Sequence, residues 1–183
     1  GSRLSGHVSH QGIPGVEIST GSLGHGACMA CGIALNAKIE KMPYFTYAIV
    51  GDGECDEGSI WEMALFANHF KLNQFVVIVD HNKMQSLDFC DNTLALSPFA
   101  EKWKAFGWNT VVADGHDFAE ILGAYKKAEE ACSNGKPTMI LFKSDMGHGV
   151  DFMAGTHKWH GKAPSAEQCE AALAQLEETL GDF

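Results

Sequence analysis

Five consecutive residues, Phe75-Val76-Val77-Ile78-Val79, constrain the fold of this chain more than any other stretch. A strand alternates its side chains between two faces, so an unbroken, largely β-branched apolar run fits where both faces are covered. That is the mark of a parallel sheet with helices on either side, and hence of an α/β fold. The preceding segments agree. An apolar run, Phe45 to Val50, reads as a first buried strand and ends in Gly51-Asp52-Gly53; Ser59 to Leu72 then carries Trp61, Met63, Leu65, Ala67 and Phe70 at mixed helical spacing and reads as a mostly buried helix. The run from Phe75 delivers Asp80-His81-Asn82. Strand, helix and strand in that order bring Asp52 and Asn82 to one edge of the sheet. Two oxygen-bearing side chains at the ends of parallel strands, with glycines beside one of them, suit a divalent cation carrying a diphosphate.

The alternation continues around this unit. Arg3 to Thr20 has few apolar residues and reads as an extended surface loop. A helix is expected from Ser19-Thr20-Gly21 to about Lys41, capped by Ser19, Thr20 or Ser22. Its Gly24, Gly26 and Gly32 point to close packing against another helix, a ligand at the first turn, or a subunit interface. Lys83 to Ser97 is irregular, Pro98 to Phe106 helical, and Trp108 to Ala113 a third strand. Phe118 to Cys132 is an amphipathic helix using Ile121, Leu122, Tyr125 and Ala128, and Thr138 to Phe142 is a fourth strand after the turn Gly135-Lys136-Pro137. Ser144 to Pro164 is a glycine- and histidine-rich loop, long enough to suggest a function. The last helix, Ser165 to Leu180, is expected to bury Cys169, Leu173, Leu176 and Leu180.

The 183 residues read as a single domain, 1–183, with Gly1-Ser2 a cloning remnant. A net charge of −10 without any run of Lys or Arg excludes a nucleic-acid or anionic-membrane surface. No membrane span or secretory signal is visible. Six scattered cysteines favour reduced thiols and a cytoplasmic setting. His7, His10, Cys28 and Cys31 could be written as a zinc site, but the histidines precede the cysteines and Cys28 and Cys31 lie in a helical pattern, so buried helix thiols are the expectation.

Gly51-Asp52-Gly53 followed by Asn82-Lys83 resembles the thiamine-diphosphate signature. Pro14-Gly15-Val16-Glu17-Ile18-Ser19-Thr20-Gly21-Ser22-Leu23-Gly24 resembles the corresponding stretch of transketolases, and Ala154-Gly155-Thr156-His157-Lys158-Trp159-His160-Gly161 is similar to that family at the matching place. The resemblance covers roughly residues 3–165 and concerns the amino-terminal, diphosphate-binding domain. It implies that Asp52, Asn82 and the carbonyl of Met84 hold Mg²⁺ or Ca²⁺ and that Gly53 contacts the diphosphate. It further implies that Gly21 and Leu23 approach the aminopyrimidine side of thiamine diphosphate through backbone groups, and that His157 sits near diphosphate and substrate. His7 matches a substrate-facing histidine, and Glu57 an acidic residue in a network linking two active sites across a dimer. Read without the resemblance, His7 and His157 are loop histidines, Glu57 favours a helix N-terminus, Gly21 starts a helix and Asp52 sits in a tight turn.

Nothing in the chain resembles the pyrimidine-binding or carboxy-terminal domains of that family. The resemblance therefore implies the amino-terminal subunit of a split transketolase-like enzyme, completed by a pyrimidine-binding/carboxy-terminal partner subunit in a homodimeric or two-fold hetero-oligomeric assembly. Such an enzyme moves a two-carbon ketol unit from a ketose donor to an aldehyde acceptor, with the cofactor as electron sink. Two alternatives stand beside it: an α-type subunit of a 2-oxo acid dehydrogenase or acyloin-forming decarboxylase, and a non-catalytic cofactor-binding remnant. The Ser19 to Gly24 and His157 to Gly161 stretches weigh against the first. There are two departures from the family. Its further amino-terminal segment, with other histidines, is not in this sequence, and Gly147-His148-Gly149 stands where Gly-Lys-Gly is common.

Overall fold

The run from Phe75 lies inside the sheet. The computed structural model describes residues 6–176, and in it four parallel strands take the order β1-β2-β4-β3. They are β1 (Thr46–Gly51), β2 (Phe75–His81), β3 (Asn109–Asp114) and β4 (Thr138–Lys143). Lying between two neighbours, β2 has Phe75, Val76, Val77 and Val79 fully buried, each worth about 1.5–3 kcal/mol against exposure. One face of the sheet packs Val77, Val79, Met139 and Leu141 against Ala30, Ile60, Ala64 and Trp103; the other packs Val76, Ile78 and Ile140 against Ala124 and Ala128. The expected parallel sheet covered on both faces is therefore what forms.

The edge strand β1 is not the doubly buried strand expected. Thr46, Ala48 and Val50 are buried while Tyr47 and Ile49 face outward, Ile49 at 74% exposure. Among the described residues of the outer face only Tyr47 meets helix cover, its ring 5.7 Å from that of Tyr125, so the strand takes the period of two of a half-buried strand.

The first helix, α1 (His25–Ile39), starts later than Ser19. Ser19 Oγ is engaged by His10, whose backbone N–H donates to it at 3.1 Å and whose Nδ1 lies at 2.7 Å. The actual N-cap is Gly24, in the left-handed region with φ 78°. Of the small residues, Ala27, Ala30, Ala34 and Ala37 face inward, but Gly32 is exposed and nothing lies within 4 Å of a Cβ placed on it. Close packing therefore does not involve Gly32 among the described residues.

Helix α2 (Gly58–His69) buries only the stripe Ile60, Met63, Ala64 and Ala67, leaving Leu65 59% exposed. The irregular segment after β2 contains a single turn, α3 (Cys90–Thr93). Helix α4 (Phe99–Ala105) inserts Trp103 between Trp61 and Trp108, ring centroids 5.4 and 4.9 Å away. Helix α5 (Phe118–Ala131) is capped by Asp117 and packs through Ala124 and Ala128, whereas the expected Leu122 is 68% exposed. Small side chains let α5 sit close to the sheet, and the bulkier leucine points away.

The last helix, α6 (Ala166–Leu173), is shorter than expected and buries none of its residues. Cys169 is exposed, as are Leu173 and Leu176; Leu180 lies outside the described residues. Beyond the helix, Gln175 exchanges hydrogen bonds of 2.8 and 2.9 Å with Asp151, a polar tie. Of these leucines Leu173 stays largely exposed, while Leu176 lies against Gly149, where an added Cβ would come within 2.8 Å of Leu176 Cδ2. No helix there is long and apolar enough to cross a membrane.

Candidate cofactor site

Parallel pairing of β1 and β2 sets Gly51 opposite Asp80, so Asp52 and Asn82 emerge side by side at the carboxyl edge. The backbone N–H of Asp52 donates to Asp80 O at 3.1 Å. Its carboxylate is 1% exposed, and burying a charge is costly unless hydrogen bonds replace its water. Three donors do so. Gly53 N–H reaches Oδ1 at 2.9 Å, Lys83 N–H reaches Oδ2 at 2.6 Å, and His81 Nδ1 lies 3.0 Å from Oδ2. Lys83 holds φ 66°, a left-handed conformation that a non-glycine residue adopts at a cost of about 1–3 kcal/mol, and the resulting turn delivers its N–H to Asp52. Asn82 donates from Nδ2 to Asp80 Oδ2 at 2.8 Å, and its Oδ1 accepts from Met84 N–H at 2.9 Å. Asp80 Oδ1 is also hydrogen-bonded by Ser144 Oγ.

This donor set fits a hard divalent cation. Asp52 is a carboxylate of the kind such ions take, held by three N–H donors with the Cys90 thiol also hydrogen-bonded to it, and the amide oxygen of Asn82 has a second lone pair. Met84 lies two residues on and is pinned by a bridge to Phe89. Gly53 suits close approach: a Cβ there would come within 2.8 Å of Gln85 Cβ. Gln85 Nε2 donates to Asp56 Oδ2 at 3.0 Å, whereas Asp56 Oδ1 is buried with no hydrogen-bond partner among the described residues. Cys90, also buried here, has its thiol pushed up to about 12 by burial first and then by the charge of Asp52.

The other expected residues fall into two groups. His7 and Gly21 adjoin, since a Cβ on Gly21 would come within 2.6 Å of His7 Cδ2. They line a cavity of about 800 Å³ with Ser19, Thr20, Ser22 and His25, beside an exposed Leu23. This segment is tied to the Asp52 turn, because Gly24 N–H donates to Glu54 Oε1 at 2.9 Å. Glu57 is the exposed N-cap of α2, and a Cβ on Gly24 would come within 3.2 Å of Glu57 Cβ. His157 opens a 3-10 turn, with Nδ1 3.9 Å from Asp88 Oδ1. That places it over the loop carrying Met84. Hydrogen bonds from Phe89 N–H and Asn92 hold the Asp88 carboxyl below its usual range, with His157 adding to them.

His81, Glu54, Asp56 and Cys90 were not singled out from the sequence. Only His81 had a signal, its place inside Asp80-His81-Asn82.

The zinc alternative is not assembled: among the described residues His7, His10, Cys28 and Cys31 do not form a group close enough to share an ion. Burial pushes Cys31 up to about 11, and Cys28 Sγ donates to Ser59 O at 3.6 Å. Among the described residues the one His/Cys/Asp/Glu group close enough to share an ion is His116, Asp145 and His148. Its geometry is unsuitable: the imidazoles stack face to face at 3.7 Å and 13°, so their in-plane lone pairs cannot converge, and His116 Nε2 already accepts from Asp145 N–H at 2.9 Å.

A parallel sheet covered on both faces, with a buried carboxylate and an amide oxygen at adjacent strand ends, defines an α/β domain with a candidate cofactor site at its carboxyl edge. The chain belongs to the transketolase family's thiamine diphosphate binding domain, which matches residues 1–181. It is 37% identical over 180 residues to an apulose-4-phosphate transketolase subunit of Phocaeicola vulgatus, covering 98% of this chain and 63% of that protein. It is 39% identical over 177 residues to the 6-deoxy-6-sulfo-D-fructose transketolase subunit SqwG of a Clostridium species, covering 97% of this chain and 64% of that one. The chain thus spans a little under two thirds of these relatives. Transketolase from Campylobacter jejuni superposes with a TM-score of 0.80 at 30% identity, over 88% of this chain and 26% of the larger one.

Proposed function

We propose that this chain is the amino-terminal subunit of a split transketolase-like enzyme and anchors the diphosphate end of thiamine diphosphate through Mg²⁺ or Ca²⁺. The observation that carries the reading is the buried, triply hydrogen-bonded Asp52 beside Asn82 at the ends of adjacent parallel strands. Asp52, Asn82 and the Met84 carbonyl hold the cation, and Gly53 contacts the diphosphate. Thiamine diphosphate supplies the electron sink for carbon–carbon bond cleavage and formation. Gly21 and Leu23 face its aminopyrimidine side, while His7 and His157 hold and orient a sugar substrate. Glu57, exposed at the start of α2, reaches the second active site of a two-fold assembly. Two relatives are named as transketolase subunits, which supports completion by a pyrimidine-binding/carboxy-terminal partner in a homodimeric or two-fold hetero-oligomeric arrangement. The reaction is ketol transfer from a ketose to an aldehyde, in a reducing, cytoplasmic setting that suits six free thiols.

Calorimetry of thiamine diphosphate binding, with and without Mg²⁺, tests the site; Asp52→Ala should abolish the metal-dependent part. Equal binding by parent and Asp52→Ala would refute the metal assignment. Ketose phosphates and pyruvate, assayed side by side with the partner present, separate ketol transfer from 2-oxo acid chemistry.

A further inference from the structure

We propose that His81 is a positioning residue that aims the Asp52 carboxylate at the cation, an inference that rests on the cofactor-anchoring reading above. The donors on Asp52 are of two kinds. Gly53 and Lys83 act through backbone N–H groups fixed by the turns on either side, whereas His81 and the Cys90 thiol act through side chains, the His81 Nδ1 3.0 Å from Oδ2. A carboxylate hinged at its Cβ–Cγ bond and held by two backbone donors can still tilt. A third N–H donor, arriving at the same oxygen as Lys83 and stronger than the weak S–H of Cys90, removes that freedom.

The platform for this donor is rigid. His81 is the last residue of β2, paired in register with Lys143, and its carbonyl accepts from Ser144 N–H at 3.4 Å. Its ring lies against Phe99, centroids 5.7 Å apart. Its side chain is 24% exposed, against 1% for that of Asp52, so the histidine stands between the buried ligand and a cavity of about 680 Å³ that it lines with Lys83, His116, Lys143 and Asp145. The geometry requires the proton on Nδ1. Groups that hydrogen-bond a metal ligand in this way typically change metal affinity about 10–100-fold when removed.

The test compares the assembled parent protein with Asp52→Ala, His81→Phe and His81→Asn. Phenylalanine keeps the ring packing without a donor, and asparagine offers Nδ2 close to the place of Nδ1. Mg²⁺ is titrated by calorimetry at fixed thiamine diphosphate, and the melting temperature is recorded without metal. The expected result is loss of Mg²⁺ binding in Asp52→Ala, a 10–100-fold weaker Mg²⁺ affinity in His81→Phe with little change in metal-free melting, and recovery to within about threefold of the parent in His81→Asn. Parent-like Mg²⁺ affinity in His81→Phe, with Asp52→Ala inactive in binding, overturns the role of His81 alone. Equal weakening in His81→Phe and His81→Asn also overturns it, by showing that the ring and not the donor matters. Retained binding in Asp52→Ala overturns the cofactor reading itself.

Discussion

Gly24 holds the start of α1 in a conformation and a space that no other residue shares cheaply, so Gly24→Ala should destabilise the protein by a calculable amount. Its φ of 78° is in the left-handed region, where an alanine costs about 1–2 kcal/mol. The added Cβ would overlap Ser59 Oγ and come within 3.2 Å of Glu57 Cβ. Turning Ser59 off its rotamer to make room costs about 0.5–1.5 kcal/mol. Together these give about 1.5–3.5 kcal/mol, and at about 2–4 °C per kcal/mol for a chain of this size the melting temperature should fall by about 3–14 °C. Thermal unfolding followed by circular dichroism, on Gly24→Ala, Ser59→Ala and the double variant, separates the two terms. Ser59→Ala removes the overlapping oxygen, so the double variant should recover about 0.5–1.5 kcal/mol while the backbone strain remains. Melting of Gly24→Ala within about 1 °C of the parent would refute the argument; a double variant no better than the single would refute the overlap and leave the strain.

Three further outcomes are expected. Trp108 donates from Nε1 to Ala64 O at 2.9 Å, whereas the buried Nε1 of Trp103 has no hydrogen-bond partner among the described residues, so Trp103→Phe should cost about 1 kcal/mol less than Trp108→Phe in urea unfolding. Asp117 accepts from Ala119 N–H at 2.7 Å and Glu120 N–H at 3.2 Å, and Asp117→Ala should lower stability by about 1 kcal/mol, read as a melting shift of about 2–4 °C. Burial pushes the thiols of Cys31 and Cys90 up from the ordinary 9.0 to about 11 and about 12. Because the folded state holds these protons more tightly, their stabilisation is complete below pH 9 and is lost as the pH rises through 11 and 12; urea midpoints measured from pH 7 upward should fall above 9.

The doubly covered parallel sheet was legible because the apolar run of β2 has no other solution, and Asp52 and Asn82 were legible because strand ends next to glycines are local features. The strand order was not, since nothing in Thr138 to Lys143 says that it inserts between β2 and β3. The start of α1 was misread for a related reason. Ser19 is a good cap by type, yet His10 occupies it, and Gly24 is held by Glu54, 30 residues away. Burial of Leu122 and of the α6 leucines was expected from helical spacing, but spacing marks only a stripe; whether another element covers it depends on packing elsewhere. The neighbours of Asp52 escaped notice in the same way, because His81 and Lys83 meet it across 29 and 31 residues.

The bond from Asp52 N–H to Asp80 O continues the β1–β2 ladder one rung beyond the strand. The backbone of the proposed ligand is therefore the terminal rung of the sheet, and fraying of that edge and loss of the ligand geometry are a single event. Amide hydrogen exchange at Asp52, and at Lys83 whose N–H is bound to the carboxylate, reports that opening directly. Cofactor loading and slowed exchange at these two amides should rise together, making the site its own lock on the end of the sheet.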